Sequence, residues 1–156
     1  MKIKLISFNK ARESWVVDAI SDYLSRLKRY VPVSMVELDA GRKSIGSPDQ
    51  LKKEEAIKLL AQIRNVDYLV LLDLAGKKYS STDWANWVEK RLSMLGSGDL
   101  IFVAGGAYGF HDSVYDRAQE QLSLSDMTFT HQMVKVIFLE QLYRSMTILR
   151  NEPYHH

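Results

Sequence analysis

The sequence predicts an α/β fold, a mainly parallel sheet with helices on its faces. Three observations carry this. Short apolar runs of strand length alternate along the chain with longer stretches of helical periodicity. Two of those runs, Tyr68–Leu72 and Leu100–Ala104, are almost unbroken in their apolar character, as expected of strands covered on both faces. Each leads into a loop containing glycine, Leu74-Ala75-Gly76-Lys77-Lys78 after the first and Gly105-Gly106-Ala107-Tyr108-Gly109 after the second.

The elements follow in order. Lys2–Phe8 alternates polar and apolar residues like a half-buried strand. Trp15, Val16, Ala19, Ile20, Tyr23, Leu24 and Leu27 recur at helical spacing, and that helix must stop before Pro32. Val33–Leu38 is a second strand. Ala40–Asp49, with Gly, Ser, Pro and two basic residues, is the least structured stretch. A helix begins around Asp49 and turns Ala56, Leu59, Leu60 and Ile63 inward. After the Tyr68–Leu72 strand, a helix opened by Ser80, Ser81 or Thr82 carries Trp84, Trp87, Val88, Leu92 and Leu95, and Gly96–Gly98 breaks it. Leu100–Ala104 is followed by a short helix over Asp112–Gln119 and a brief extended segment over Gln121–Ser125. The last helix spans about His131–Arg150, with Val134, Ile137, Phe138, Leu142 and Leu149 inward, and Pro153 halts it. Chain physics alone favours an unknotted doubly wound sheet, because knots are nearly absent among folds.

Composition narrows the function. The 156 residues suit one domain. With no cysteine, disulfides, thiolate metal sites and a cysteine nucleophile are excluded. The opening MKIKLISFNKARESW has too short an apolar stretch for a signal peptide, and no run approaches membrane-spanning length, so a cytoplasmic protein is expected. The net charge of +2, from 21 Lys+Arg against 19 Asp+Glu, is too small to argue nucleic-acid binding by itself. A local basic patch, or one assembled across a dimer, would still serve.

The motifs concentrate on loops. Gly105-Gly106-x-x-Gly109 lets backbone take positive φ and lets a ligand approach the main chain, which suits a cofactor pocket at the carboxyl edge of a parallel sheet. An ordinary tight turn would use the same residues. The order is not that of a dinucleotide fingerprint, and no P-loop is present. Leu71–Lys77 is a second strand-end loop, at the carboxyl edge where ligands collect, though its Gly76-Lys77-Lys78 part reads most simply as a solvated turn. Ser123-Leu124-Ser125-Asp126-Met127-Thr128-Phe129 could wrap an adenine in backbone polar groups and an apolar slot, or could be a connector whose Thr128 or Thr130 caps the last helix. His131 in the first turn reads as a capping or packing residue. Lys135, Glu140 and Arg144 are placed on the polar side of that helix, the last two as an i,i+4 ion pair. The terminal Pro153-Tyr154-His155-His156 joins an aromatic ring to histidines, a set able to stack on a base and move protons, or simply a frayed end.

The order of these segments, LLDLAGK, then FVAGGAYGF, then LSLSDMTFTHQMVKVIFLEQLYRSMTILRNEPYHH, resembles the RlmH-type SPOUT methyltransferases, and KIKLISFNK and the overall length match as well. The resemblance implies a C-terminal trefoil knot, a homodimer, and methylation of N3 of a pseudouridine in large-subunit ribosomal RNA. It implies S-adenosylmethionine held by Leu72, Gly105, Leu124, Ser125, Asp126, Met127, Thr128 and Phe129, and no metal. It carries the RNA-side positions to Arg144, Tyr154 and His155; loss of the N3 proton calls for a base, for which His155 is the candidate, with Arg144 to stabilise the developing negative charge and Tyr154 to stack or orient the base. Lys77, Lys78, Arg42 and Lys43 are candidates for phosphate contact, with a solvated face the simpler reading of each, and Lys135 is expected to act on RNA binding. Three departures stand out: Thr130 where proline is frequent, Ala107-Tyr108 where a more polar pair is frequent, and a terminal His156 where a basic residue is common. A non-catalytic RNA-binding assembly factor of the same fold is the alternative.

Overall fold

A computed structural model describes residues 2–39 and 46–156, so Arg42 and Lys43 lie outside the described residues. The elements are β1 (Ile3–Ser7), α1 (Ser14–Leu27), β2 (Val33–Glu37), α2 (Pro48–Leu60), β3 (Tyr68–Lys77), α3 (Ser81–Met94), β4 (Leu100–Ala104), α4 (Asp112–Arg117), β5 (Glu120–Leu122) and α5 (His131–Leu149). The strands form one sheet in the order β2-β1-β4-β3-β5, and every pairing is parallel.

Strand alternation divides the core. Leu5, Val70, Leu100 and Phe102 point to the face covered by α1, α3 and α5. Ile6, Leu69, Leu71, Ile101 and Val103 point to the other, where Ala56 and Leu59 of α2 and Val114 of α4 meet them. Parallel strands buried on both faces explain why β4 is apolar throughout. Three of the helices start where capping hydroxyls accept from amides of the first turn. Ser47 accepts from Gln50 N with Pro48 at the first position, Ser80 accepts from Asp83 N, and Thr130 accepts from Met133 N.

α5 lies between α1 and α3, so it is buried well beyond a single stripe. This corrects the expected polar side. Lys135 is buried, with its ammonium 3.0 Å from Glu37 Oε1 and bonded to the Asn9 carbonyl. Tucked under the β1–α1 connection, it cannot meet a phosphate. Ser145 and Thr147 are also buried, each returning its hydroxyl to a carbonyl one turn back, of Leu142 and Arg144.

β3 runs to Lys77 rather than stopping at Leu72, because Leu72 and Lys77 both pair with Leu122. Residues Asp73 to Gly76 are therefore extruded as a bulge, and the strand resumes beyond them. Gly76 is required there: a Cβ would lie 2.6 Å from the Leu122 backbone. Gly76 and Lys77 thus end β3 beside β5 and do not form a turn, while Lys77 and Lys78 remain exposed.

Candidate functional site

A two-lobed cleft opens at the carboxyl edge of β3 and β4. The smaller lobe, about 110 Å³, is lined by Leu72, Leu122, Leu124, Ser125 and Met127 among others. The larger, about 300 Å³, is lined by Ala104, Gly105, Gly106, Ala107, Phe110 and His131 among others. Leu72, Asp73, Leu74, Thr128, Phe129 and Val134 line both, so the lobes are continuous. One lobe is an apolar slot and the other is walled by glycine backbone. That combination fits a flat aromatic base joined to a polar tail.

Of the eight residues expected to hold the cofactor, seven line this cleft: Leu72, Gly105, Leu124, Ser125, Met127, Thr128 and Phe129. Asp126 does not. Its side chain is 81% exposed and pairs with Lys78 on the outer surface. Within the connector, Ser123 Oγ donates to the Ser125 carbonyl at 3.0 Å, and Ser125 Oγ accepts from Met127 N at 2.9 Å. These bonds curl the segment around the slot before Thr130 caps α5.

The glycine loop differs in detail from its expected role. Within the loop, positive φ occurs only at Gly109, at 77°. Gly105 and Gly106 are instead closely approached by side chains: a Cβ on Gly105 would stand 3.0 Å from the Phe110 ring, and one on Gly106 would stand 2.5 Å from Glu55 Oε1.

One wall residue, Asp73, and two residues behind the wall, Tyr115 and Glu55, were not singled out from the sequence. Asp73, in the bulge of β3, accepts from Ala75 N at 2.9 Å and from the Tyr115 hydroxyl at 2.7 Å, which pins the bulge over the cleft. Burial, then the Asp73 carboxylate, pushes the Tyr115 hydroxyl up to about 12. Glu55, on α2, is buried behind Gly106, and burial raises its carboxyl to about 7. A carboxylate directly after a buried strand is a usable signal for Asp73. Nothing local marks Tyr115 or Glu55, which stand behind the lining residues Asp73 and Gly106 from elements distant in sequence.

The RNA-side candidates cluster elsewhere. α5 ends in a reversal in which Asn151 N donates to Ile148 O at 3.0 Å and Glu152 N to Thr147 O at 2.9 Å. Asn151 takes φ 54°, the left-handed residue that such a helix stop requires. The stop therefore precedes Pro153. It folds the tail back over the helix: the Tyr30 hydroxyl donates to Glu152 Oε2 at 2.6 Å, and the Tyr154 ring packs edge-on against Tyr143 at 4.8 Å. Arg144 is clamped by Glu140, with Nε at 3.1 Å and Nη2 at 2.5 Å from Oε1. Its guanidinium lies 4.9 Å from the Tyr154 ring centre, and its Nη1 is 3.4 Å from His155 Nδ1. The hydrogen bond to Glu140 raises the Arg144 pKa above its ordinary value. Burial, then the Tyr23 hydroxyl and the Glu140 carboxylate, raises that of Tyr154. Arg144, Tyr154 and His155 thus form one charged, aromatic-faced cluster.

That cluster stands at the opposite edge of the sheet from the cleft. His131 begins α5 beside the cleft. Arg144 lies ~20 Å farther along the same helix, at roughly 1.5 Å per residue. One protomer therefore does not bring the two halves together. Lys77 covers the Tyr79 ring at 4.8 Å. Among the described residues no helix is long and apolar enough to cross a membrane, and no cluster of three or more His, Asp or Glu is arranged to hold a metal.

Comparison with known proteins places this geometry. A solved structure described only as that of a hypothetical protein superposes with a TM-score of 0.53 at 14% identity, over 96% of this chain and 68% of the other, a likeness of fold alone. A protein of Parabacteroides distasonis named ribosomal RNA large subunit methyltransferase H is 45% identical over 158 residues, spanning 100% of this chain and 99% of its own. Proteins of the same name from Pelobacter propionicus and Cytophaga hutchinsonii are 44% and 39% identical, each over 100% of both chains. The family described as predicted SPOUT methyltransferase matches residues 1–155. With a full-length match, the parallel sheet and the cleft at its carboxyl edge in agreement, the chain belongs to the SPOUT methyltransferase family.

Proposed function

We propose that the whole chain is one knotted SPOUT domain that transfers a methyl group from S-adenosylmethionine to N3 of a pseudouridine in large-subunit ribosomal RNA, in the cytoplasm and as a homodimer. The observation that carries this reading is the full-length likeness to relatives of that name, supported by a cleft lined by seven of the eight residues assigned to the cofactor. The non-catalytic alternative needs no such cleft.

The residues fit the cofactor. The apolar slot of Leu72, Leu122, Leu124 and Phe129 suits an adenine, and the Gly105-Gly106 backbone leaves room for the amino-acid end. When bound, the cofactor supplies a methyl group already activated on a sulfonium, so the protein's work is alignment and proton removal. N3 must lose its proton to become nucleophilic. The exposed His155 takes that proton, and Arg144 stabilises the negative charge that develops on the ring. Glu140 fixes Arg144 by accepting from its guanidinium, while the Tyr154 ring packs beside that group. Pairing two chains in opposite directions sets the tail of one against the cleft of the other, which joins the halves that one protomer keeps apart.

Hybrid dimers test this. Gly105→Val and Arg144→Ala should each abolish methylation of ribosomes. Equal amounts mixed and allowed to exchange should regain about a quarter of wild-type activity, since about half the dimers are hybrids with one intact site of two. Mass spectrometry of the ribosomal RNA would locate the product. No recovery in hybrids shown to form would refute the shared site.

A further inference from the structure

Glu55 is a buried carboxyl that the methyl-transfer scheme does not use. It is 5% exposed on α2, and its oxygens abut Gly106, whose backbone walls the larger lobe of the cleft. Among the described residues no hydrogen bond reaches it. Lys58, one turn along the same helix, is the charge that bears on it, yet Lys58 Nζ is committed to the Asp39 carbonyl at 2.9 Å. α4, packed on α2, carries Asp112, Asp116 and Arg117 and is capped by His111. Arg117 is turned to the Arg64 and Asp67 carbonyls at 2.7 and 3.1 Å, and His111 Nδ1 to Ser113. The glycine loop itself contributes no charge, and the strands below α2 present Ile6, Leu69, Leu71, Ile101 and Val103.

Resting on the cofactor reading of the cleft, we propose that Glu55 is its charge-recognition residue: the carboxylate behind Gly106 favours the cationic sulfonium donor over its neutral thioether product. A carboxylate buried without a paired cation is costly. A positive ligand one layer of backbone away relieves that cost, and with few intervening dipoles the attraction is stronger than in water. The carboxyl, raised to about 7 by burial, is partly protonated in the empty cleft at neutral pH. Donor binding ionises it and the proton leaves to solvent. Methyl transfer removes the ligand's sulfonium charge, the carboxylate recovers a proton from solvent, and the product is held less tightly than the donor. Gly106 is part of the device, because any side chain there would displace the carboxylate.

The test is calorimetry of the full chain with S-adenosylmethionine and S-adenosylhomocysteine, in two buffers of different ionisation enthalpy, for wild type and Glu55→Gln. The wild-type-minus-variant proton count removes the ligands' own amino titration. At pH 7 it should be about half a proton released for the donor and near zero for the product. Donor affinity of wild type should rise about tenfold between pH 6 and pH 8 relative to the variant, and the donor-to-product affinity ratio should fall about tenfold in Glu55→Gln. Donor binding with no such proton release, or a variant with the wild-type affinity ratio, overturns the proposal and leaves the cofactor reading standing. If neither ligand binds wild type, the cofactor reading falls and the proposal with it. Should Glu55→Gln not fold, the wild-type proton count for donor against product decides, with Glu55→Asp as the second variant.

Discussion

Replacing Lys135 by alanine separates a structural role from an RNA-binding one. Its side chain is 1% exposed and that of its partner Glu37 is 27% exposed. The substitution deletes three methylenes beyond Cβ, worth about 2 kcal/mol at ~0.8 kcal/mol each. It also strands the Glu37 carboxylate. Breaking a fully buried pair costs about 3–5 kcal/mol. Glu37 keeps its bond from Ala11 N at 2.8 Å and some solvent, so that cost drops to roughly 1–2 kcal/mol. The sum, about 3–4 kcal/mol, is a large share of the ~5–15 kcal/mol that stabilises a typical domain. It should lower Tm by on the order of 10 °C. Urea unfolding of Lys135→Ala measures the loss, and Lys135→Met with Glu37→Gln should recover about half by restoring packing without an unpaired charge. A variant within about 0.5 kcal/mol of wild type that binds ribosomes with a shallower salt dependence would refute this and return Lys135 to the phosphate-contact role.

Three further outcomes are expected. Glu55→Gln should unfold less readily than wild type at pH 8 and show no gain at pH 4: a carboxyl raised from 4.5 to about 7 stabilises the fold fully below its unfolded value and loses that contribution as pH rises through about 7, a difference on the order of 2–3 kcal/mol. Denaturant titrations across pH 4–8 check the slope. Asn151→Val should cost about 1–2 kcal/mol, because a β-branched residue resists φ 54°, whereas Asn151→Gly should be near neutral; thermal unfolding and methylation rates of the pair tell a misplaced tail from a lost side chain. His155→Ala should leave donor affinity intact and slow single-turnover methylation by about 10²–10⁴-fold, with partial recovery at higher pH; a loss that pH does not relieve would recast His155 as an RNA anchor.

Local patterns were sufficient for what depends on neighbours in the chain. The alternation of buried runs and helical stripes specified the parallel α/β sheet, because strands covered on both faces have nowhere to place polar side chains. Much of the cleft lining was legible as well, because Gly105 and most of the Leu124–Phe129 run follow strands, and ligands gather at that edge of a parallel sheet. Tertiary structure decided the rest. Lys135 looked like a surface cation at its helical position, yet α5 is enclosed by α1 and α3, and the lysine ends on Glu37 and the Asn9 carbonyl, residues far away in sequence. Gly76 looked like a solvated turn until the extruded bulge of β3 pressed it onto the Leu122 backbone. Asp126 sits within the cofactor run but turns outward to Lys78. Glu55 reaches the glycine loop only because α2 packs beneath it, a proximity no spacing encodes. The separation of cleft from tail is likewise a property of the long α5. Its direction across the sheet places Arg144, Tyr154 and His155 at the far edge, since a helix carries its residues about 1.5 Å apart whatever chemistry they share.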